Sequence, residues 1–536
     1  MSDRITKPVQ TEAVFDSWDY IVFALLSLVS LFVTGTFLEY WLSLRGWVYH
    51  PISSVISKLI FLVVIVNYFG RWFLLPYMRR PKPMAARPGW RVAVVTTVVP
   101  GNEPLDMLEV TLKCMVAIDY PHDIWVLDEE DSDEVKALCE KLGVYHFSRK
   151  GMASYQTRTG TFQSRTKHGN YNAWLYETAF DRYDIITSFD PDHIPAPNFL
   201  SRVLGYFDDP DVGYVQAAQV YYNQEASFIA RGAAEETYAY YSSIQMASYG
   251  MGYPIIIGCH NTHRVTALKE VGGFATHEAD DLLITLYYRS HGWQGVYVPE
   301  ILARGLTPVD WDGYLTQQRR WARSVLDIKL RLYHKLDDNL SLKTRVISFL
   351  HGFNYLYKSF IILAGVLLTL FMLATGTALK LASLPALPRF GLFCLVLLLC
   401  DLYRQRFYLD PEREYGLHWR AGLLQFGKWA YTLLALCEVI LKRRTPYALT
   451  SKVKSGRRRH MIFWPHLWVS ILVLVCWGIG AASGRITEPL LHVWGGFVAA
   501  GSLALALTDF LRFPAPFDKK LIPSTAQERL KQLEYN

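Results

Sequence analysis

Apolar runs long enough to cross a bilayer stand at both ends of this 536-residue chain and bracket a polar stretch between Pro83 and about Lys335. Tyr20–Leu38 is uncharged throughout and, at the helical rise, reaches roughly 30 Å, the thickness of the hydrocarbon layer. A second run, Ile56–Tyr77, is followed at once by Arg79, Arg80 and Lys82. Basic residues gather on the inner side of a membrane, so the polar stretch is expected in the cytosol. Apolar runs return at Ser359–Leu379, Leu384–Tyr403, Met461–Gly480 and Leu490–Leu511. Ala421–Leu441 is apolar too but carries Lys428 and Glu438. It is read as interfacial, because a crossing there would put Arg457, Arg458 and Arg459 outside. The expectation is about six spans with both termini cytosolic, in a plasma (bacterial inner) membrane.

The net charge of +7 is modest for this length, and many basic residues flank apolar runs. A nucleic-acid partner, which needs basic residues gathered on one face, is not expected. The seven cysteines form no CxxC pair, so neither a disulfide framework nor a zinc site follows from them. Met1–Asp19 is polar and mixed in charge, unlike a cleaved signal peptide.

Inside the polar stretch the pattern becomes one of strands alternating with helices. Arg91–Val99, Ile124–Leu127 and Asp184–Phe189 read as buried strands, with helices at Leu105–Met115 and Ser132–Leu142 between them. Such alternation implies a mostly parallel sheet, whose ligands gather at the carboxyl ends of the strands. Asp128, Asp190 and Asp192 fall there. A diphosphate leaving group needs its charge neutralised, which a hard divalent cation on one or two carboxylates does. Asp190-Pro-Asp192 offers that pair, although a DxD also often just caps a loop; His193 is a further candidate ligand or a plain loop residue. A displacement at a sugar carbon also needs a base for the acceptor hydroxyl. Glu278-Ala279-Asp280-Asp281, ahead of the helical run Leu282–His291, supplies acids, though a helix dipole alone favours acids there. Downstream, Gln317-Gln318-Arg319-Arg320-Trp321 offers an arginine for a diphosphate and an indole for a sugar face.

In this order the motifs resemble those of family-2 glycosyltransferases of the cellulose synthase and hyaluronan synthase type, over roughly Val92–Ser324. Asp128 matches the first acid, Asp190 and Asp192 the DxD, Asp281 the last acid of TED, and Gln317, Arg320 and Trp321 the QxxRW. Gly292-Trp293 follows the TED helix as it does in that family. The resemblance implies a GT-A domain, a mostly parallel mixed sheet with flanking helices, inserted in a helical transmembrane bundle. The segments are 1–83 with two spans, 84–335 as catalytic domain, 336–511 as membrane and interfacial helices, and 512–536 as a cytosolic tail. That tail is too short for a cyclic-dinucleotide-binding domain.

By the same resemblance Asp281 is the general base, and Asp190 and Asp192 hold the diphosphate with Mg²⁺ or Mn²⁺. Glu103 (in Asn102-Glu103-Pro104) and Asp128 contact the nucleotide. Lys167 and Asn170, as a KxGN motif, and Arg320 bind the donor. Trp321, Gln317 and Asp280 face the acceptor. Gln216 lies in a family-like VQ segment. Tyr447-Ala-Leu-Thr450-Ser-Lys452, in the loop 445–456, resembles a gating loop whose Thr450 and Lys452 close over the nucleotide; an ordinary basic juxtamembrane loop is the plain alternative.

The departures are Ala279-Asp280-Asp281 in place of TED, Asp128-Glu129-Glu130 in place of DDG, and Gly258-Cys259-His260-Asn261-Thr262 at the acceptor-side loop. The implied activity is processive, inverting β-transfer from UDP-glucose, or second UDP-N-acetylglucosamine, to a growing polysaccharide carried through the protein's own channel. The rivals are transfer of one sugar to a lipid and an inactive membrane assembly subunit. Accessory envelope proteins or a homo-oligomer stay open.

Overall fold

The computed structural model describes residues 8–42, 51–336, 340–378, 386–443 and 462–508. The loop 445–456, with Thr450 and Lys452, and the tail 512–536 lie outside the described residues.

The chain first forms a short antiparallel pair, β1 (Thr11–Ala13) with β2 (Arg79–Pro81), which ties the segment before the first long helix to the segment after the second. The polar stretch then builds a seven-stranded sheet. Its strands are β3 (Val92–Val98), β4 (Asp123–Asp128), β5 (Tyr145–Phe147), β6 (Ile185–Phe189), β8 (Val212–Ala217), β10 (Asn261–Arg264) and β11 (Gln294–Val298). Their spatial order is β11-β8-β10-β6-β3-β4-β5. β3, with the sequence VAVVTTV, is buried almost along its whole length. That suits a parallel strand covered by helices on both faces. The pairs β3–β4, β3–β6, β4–β5 and β8–β11 are parallel. β10 runs antiparallel to both β6 and β8 and makes the sheet mixed. The three expected strands are present within a residue or so of their expected ends.

Register decides where the acids emerge. Val98 pairs with Asp128, and Thr96 pairs with Phe189, the residue before Asp190. Asp128 and the Asp190-Pro-Asp192 turn therefore leave the sheet at one edge. Past that turn, β7 (Ile194–Pro195), β9 (Val220–Tyr221) and β12 (Ala303–Gly305) form a small sheet in the order β7-β12-β9.

Among the described residues, five helices are long and apolar enough to cross a membrane: Ser17–Leu42, Pro51–Tyr77, Asn354–Thr375, Trp419–Ile440 and Trp464–Ala482. Pro489–Leu505 is a shorter apolar helix. This set differs from the expected one at three places, the first being this shorter helix at the expected last span, Leu490–Leu511. Leu387–Arg404, at the expected fourth span, is not among the five and carries Arg389, Asp401 and Arg404. Trp419–Ile440 qualifies by length and composition, so those two properties do not mark it as interfacial. Its polar groups do bear on that reading: Lys428 Nζ donates to Glu236 and to Gln318 Oε1 at 2.8 Å, and Glu438 pairs with Arg319. Two charges on an apolar helix are thus matched by groups of the polar stretch. All seven cysteines are free thiols.

Candidate active site

The sheet edge opens into a cavity of about 1650 Å³. Asp190, Asp192, Asp280 and Asp281 line it, as do Glu103, Lys167 and Asn170 and, from the Trp311–Asp327 helix, Gln317, Arg320 and Trp321. The same cavity reaches Arg71, Lys358 and Thr432 on three of the long apolar helices. The fold brings the DxD acids, Asp280-Asp281 and the QxxRW residues to one cavity, together with Glu103 and the KxGN segment.

Asp128 lies behind the cavity wall and not in it. The buried carboxylate accepts the N–H groups of Glu130 at 2.9 Å and Ser132 at 2.6 Å and stands 3.2 Å from His146 Nε2. It fixes the loop that presents Glu129 and Glu130 to the cavity, a different place from the direct nucleotide contact expected of it. Glu129 is itself held by Arg149, fully buried, through two hydrogen bonds of 2.8 and 3.1 Å. Arg149 also donates to the carbonyls of Tyr155, Phe162 and Thr166, so one side chain organises the whole 149–166 loop. Sequence reasoning missed Arg149, and nothing in its local context singles it out.

The KxGN segment opens the Lys167–Trp174 helix, with Thr166 as its cap accepting from Gly169 N. A methyl group on Gly169 would stand 2.1 Å from the Gln163 carbonyl, which explains the glycine. Lys167 Nζ lies 2.6 Å from Asp190 Oδ1 and donates to Gly258 O at 2.9 Å. Burial alone would push the ammonium down and the carboxyl up. Their mutual attraction wins on both sides, holding Lys167 well above and Asp190 below its ordinary range. Asn170 is buried and donates to Leu127 O at 3.2 Å, which ties the helix to β4. Glu103 accepts from Val99 N at 2.9 Å and closes the turn after β3.

The base candidate sits in the first turn of the Asp280–Ser290 helix. Asp281 accepts Leu282 N at 2.7 Å through Oδ1 and Gly258 N at 2.8 Å through Oδ2. Burial raises its pKa, and these two N–H groups work against that rise. Asp280 is pushed up to about 7, chiefly by burial, with Lys167 opposing and Asp281 adding to the shift. Gly258 thus touches Asp281 through its N–H and Lys167 through its carbonyl. Gln216, buried, holds the same loop by accepting Ile257 N and donating to Cys259 O, which gives the VQ segment a structural task.

A second clamp had also been missed. Arg323 pairs with Glu278, and Asp327 faces His277 Nε2 at 3.2 Å while His277 Nδ1 accepts Ala279 N. The Trp311–Asp327 helix therefore fixes the loop ahead of the acids as well as presenting Arg320 and Trp321. Arg323 and Asp327 follow Arg320 at spacings of three and seven, one helical face, a signal that was available.

Asp190, Asp192 and His193 bring one ligand atom each to within 4.8 Å of one another. His193 is 3% exposed, and its Nδ1, 3.4 Å from Asp192 Oδ1, makes no hydrogen bond among the described residues. The two carboxylates are the hard oxygen donors that Mg²⁺ or Mn²⁺ prefers, with the His193 imidazole beside them.

A mixed sheet with diphosphate-type acids at its edge, joined to bilayer-length helices, defines a GT-A-like glycosyltransferase domain on a membrane-type scaffold. The structure is similar to that of the mannosyltransferase PcManGT from Pyrobaculum calidifontis, solved with GDP-Man and Mn²⁺. The TM-score is 0.50 over 74% of this chain and 99% of that one; at 16% identity this is a likeness of fold. Residues 90–324 match the family described as glycosyltransferase like family 2. The chain is 28% identical over 277 residues to the cellulose synthase catalytic subunit [UDP-forming] of Xanthomonas axonopodis pv. citri, a match covering 50% of this chain and 36% of that one. It is 26% identical over 275 residues to the cellulose synthase 1 catalytic subunit [UDP-forming] of Komagataeibacter xylinus, covering 50% and 35%. A protein of Oryza sativa subsp. japonica named "Probable glucomannan 4-beta-mannosyltransferase 7" matches at 23% identity over 60% of this chain and 58% of its own. The chain thus spans little more than a third of the length of those two cellulose synthases. Residues 90–324 thus form a glycosyltransferase-2-like domain whose sequence is similar to that of cellulose synthases.

Proposed function

We propose that the chain is a processive, inverting β-glycosyltransferase that takes a UDP-sugar, UDP-glucose ahead of UDP-N-acetylglucosamine, and lengthens a polysaccharide while passing it into its own membrane bundle. The observation that carries the reading is the one continuous cavity in which the acids, Trp321 and the walls of the long apolar helices all take part. The catalytic region and both termini are placed in the cytosol on the strength of Arg79, Arg80 and Lys82.

In this reading the acceptor hydroxyl gives its proton to Asp281 as its oxygen attacks the anomeric carbon. The bond from that carbon to the diphosphate oxygen breaks on the opposite face, with inversion, and UDP leaves. Gly258 N–H orients Asp281, and burial makes it a stronger base than an exposed aspartate. Asp190, Asp192 and His193 would hold a divalent cation, which when bound neutralises charge on the diphosphate. Lys167 and Arg320 add positive charge on the same wall. Trp321 offers its ring to the acceptor terminus.

A second reading, transfer of one sugar to a lipid, is favoured by one feature. The cavity wall includes Val66 and Leu350, each 62% exposed, so part of it meets the apolar exterior. Incubating the purified protein with a panel of labelled UDP-sugars and Mg²⁺ or Mn²⁺ separates the two. Polymer cut by a linkage-specific glycanase supports the first; a single labelled glycolipid with no polymer overturns it.

A further inference from the structure

Beside the acid pair, a different set of side chains converges. His193, Cys259 and His260, all buried, each bring one ligand atom to within 4.8 Å of the others. The two imidazole rings meet edge to face, with centroids 4.9 Å apart. His260 Nδ1 donates to Ala218 O at 3.0 Å, which fixes the tautomer and leaves the lone pair on Nε2. That Nε2 is fully buried and has no hydrogen-bond partner among the described residues, and neither has His193 Nδ1. His193 has Gln219 Nε2 at 3.2 Å from its Nε2 and the Asp192 carboxylate at 3.4 Å from its Nδ1, so the orphaned nitrogen is His260 Nε2, which is costly to bury unless something binds it. The backbone at His260 is also in the left-handed region, with φ of 57°. A β-carbon there is uncommon, and such strain persists where the surroundings hold the residue for a purpose.

We propose that His193, Cys259 and His260 form a site for a borderline-soft divalent ion of the zinc class, separate in ligand chemistry from the carboxylate site and sharing only His193 with it. Two imidazoles and a thiolate are the donors such ions prefer over Mg²⁺. The fourth tetrahedral position falls to water. Binding replaces the S–H bond of Cys259 by an S–metal bond, and the proton goes to the buffer. The hydrogen bond from His260 Nδ1 to Ala218 O leaves Nε2 ready to bind, and the incoming dication offsets the cost of forming the buried thiolate. Because His193 serves both sets, zinc at this site withdraws a ligand from the carboxylate site.

The test uses the full-length protein in detergent, stripped of metal and titrated with Co²⁺ as a spectroscopic probe and with Zn²⁺ by calorimetry. The expected result is one Co²⁺ per chain giving a sulfur-to-cobalt charge-transfer band. Cys259→Ala or Cys259→Ser should abolish the band, and each should weaken Zn²⁺ binding about 100-fold; His260→Asn, which tolerates the left-handed backbone, should weaken it about 10- to 100-fold. Thermal unfolding of each metal-free variant checks that it folds. Asp281→Asn should keep the band whether or not the protein transfers sugar, so this outcome stands apart from the proposed activity. The proposal is overturned if no sulfur band forms, or if Zn²⁺ affinity survives Cys259→Ala and His260→Asn but falls in Asp190→Asn.

Discussion

Lys167 Nζ stands 2.6 Å from Asp190 Oδ1 and, through the Gly258 carbonyl at 2.9 Å, is one residue away from Asp281. A single lysine thereby links the DxD acid to the loop that orients the base. Lys167→Ala should weaken donor binding about tenfold or more, the scale of a charge-assisted hydrogen bond. It also removes the positive charge that opposes the rise of Asp280, so the acid limb of the rate profile should move to higher pH. Donor titration and a pH–rate series on the variant read both effects.

The paired acids make activity depend on pH in a definite direction. The base must be ionised, and burial raises both members, Asp280 to about 7. Turnover should therefore fall as pH drops through the neutral range, well above the ordinary carboxylate range, as a property of the pair. Asp280→Asn removes a like charge, lowers the remaining pKa and should shift the limb down by about one pH unit. An acid limb that stays in place in Asp280→Asn would show that the two do not titrate together.

Arg149 and Glu129 form a buried pair beneath the donor wall, at 0% and 9% side-chain exposure. Arg149→Ala leaves a carboxylate without its partner inside the fold and should cost about 3–5 kcal/mol. Gly169→Ala drives a methyl group against the Gln163 carbonyl and should cost about 1–3 kcal/mol. Thermal unfolding in detergent measures both.

Trp321 shares the cavity with the acids and with the long apolar helices. If the ring serves the acceptor as proposed, Trp321→Ala should shorten the product while leaving hydrolysis of the donor largely intact. Product sizing beside UDP release is the measurement; chains of unchanged length would remove Trp321 from the acceptor role.

Much of this site was legible because its chemistry is carried by acids at strand ends and by an ordered set of short motifs. The valine-rich β3 and the DxD after β6 announce themselves through burial pattern and position. What stayed hidden is what the long-range fold supplies. The antiparallel β10 carries Asn-Thr-His-Arg, a poor strand by propensity, and is a strand because β6 and β8 flank it. Arg149 matters only because distant carbonyls close around it. The Asp128 side chain reads from sequence as a ligand, yet its two oxygens are taken by backbone N–H groups. Trp419–Ile440 shows the limit of hydropathy: its Lys428 and Glu438 find partners no window over one helix reveals.

The central claim is that Asp281 removes the acceptor proton while Asp192 helps hold the donor, and donor binding measured beside turnover tests it most directly. Asp281→Asn should lose at least about 100-fold in transfer and bind UDP-sugar nearly as the parent does, whereas Asp192→Ala should lose metal-dependent donor binding. Equal loss of binding in both variants, or transfer that persists in Asp281→Asn, would contradict the account.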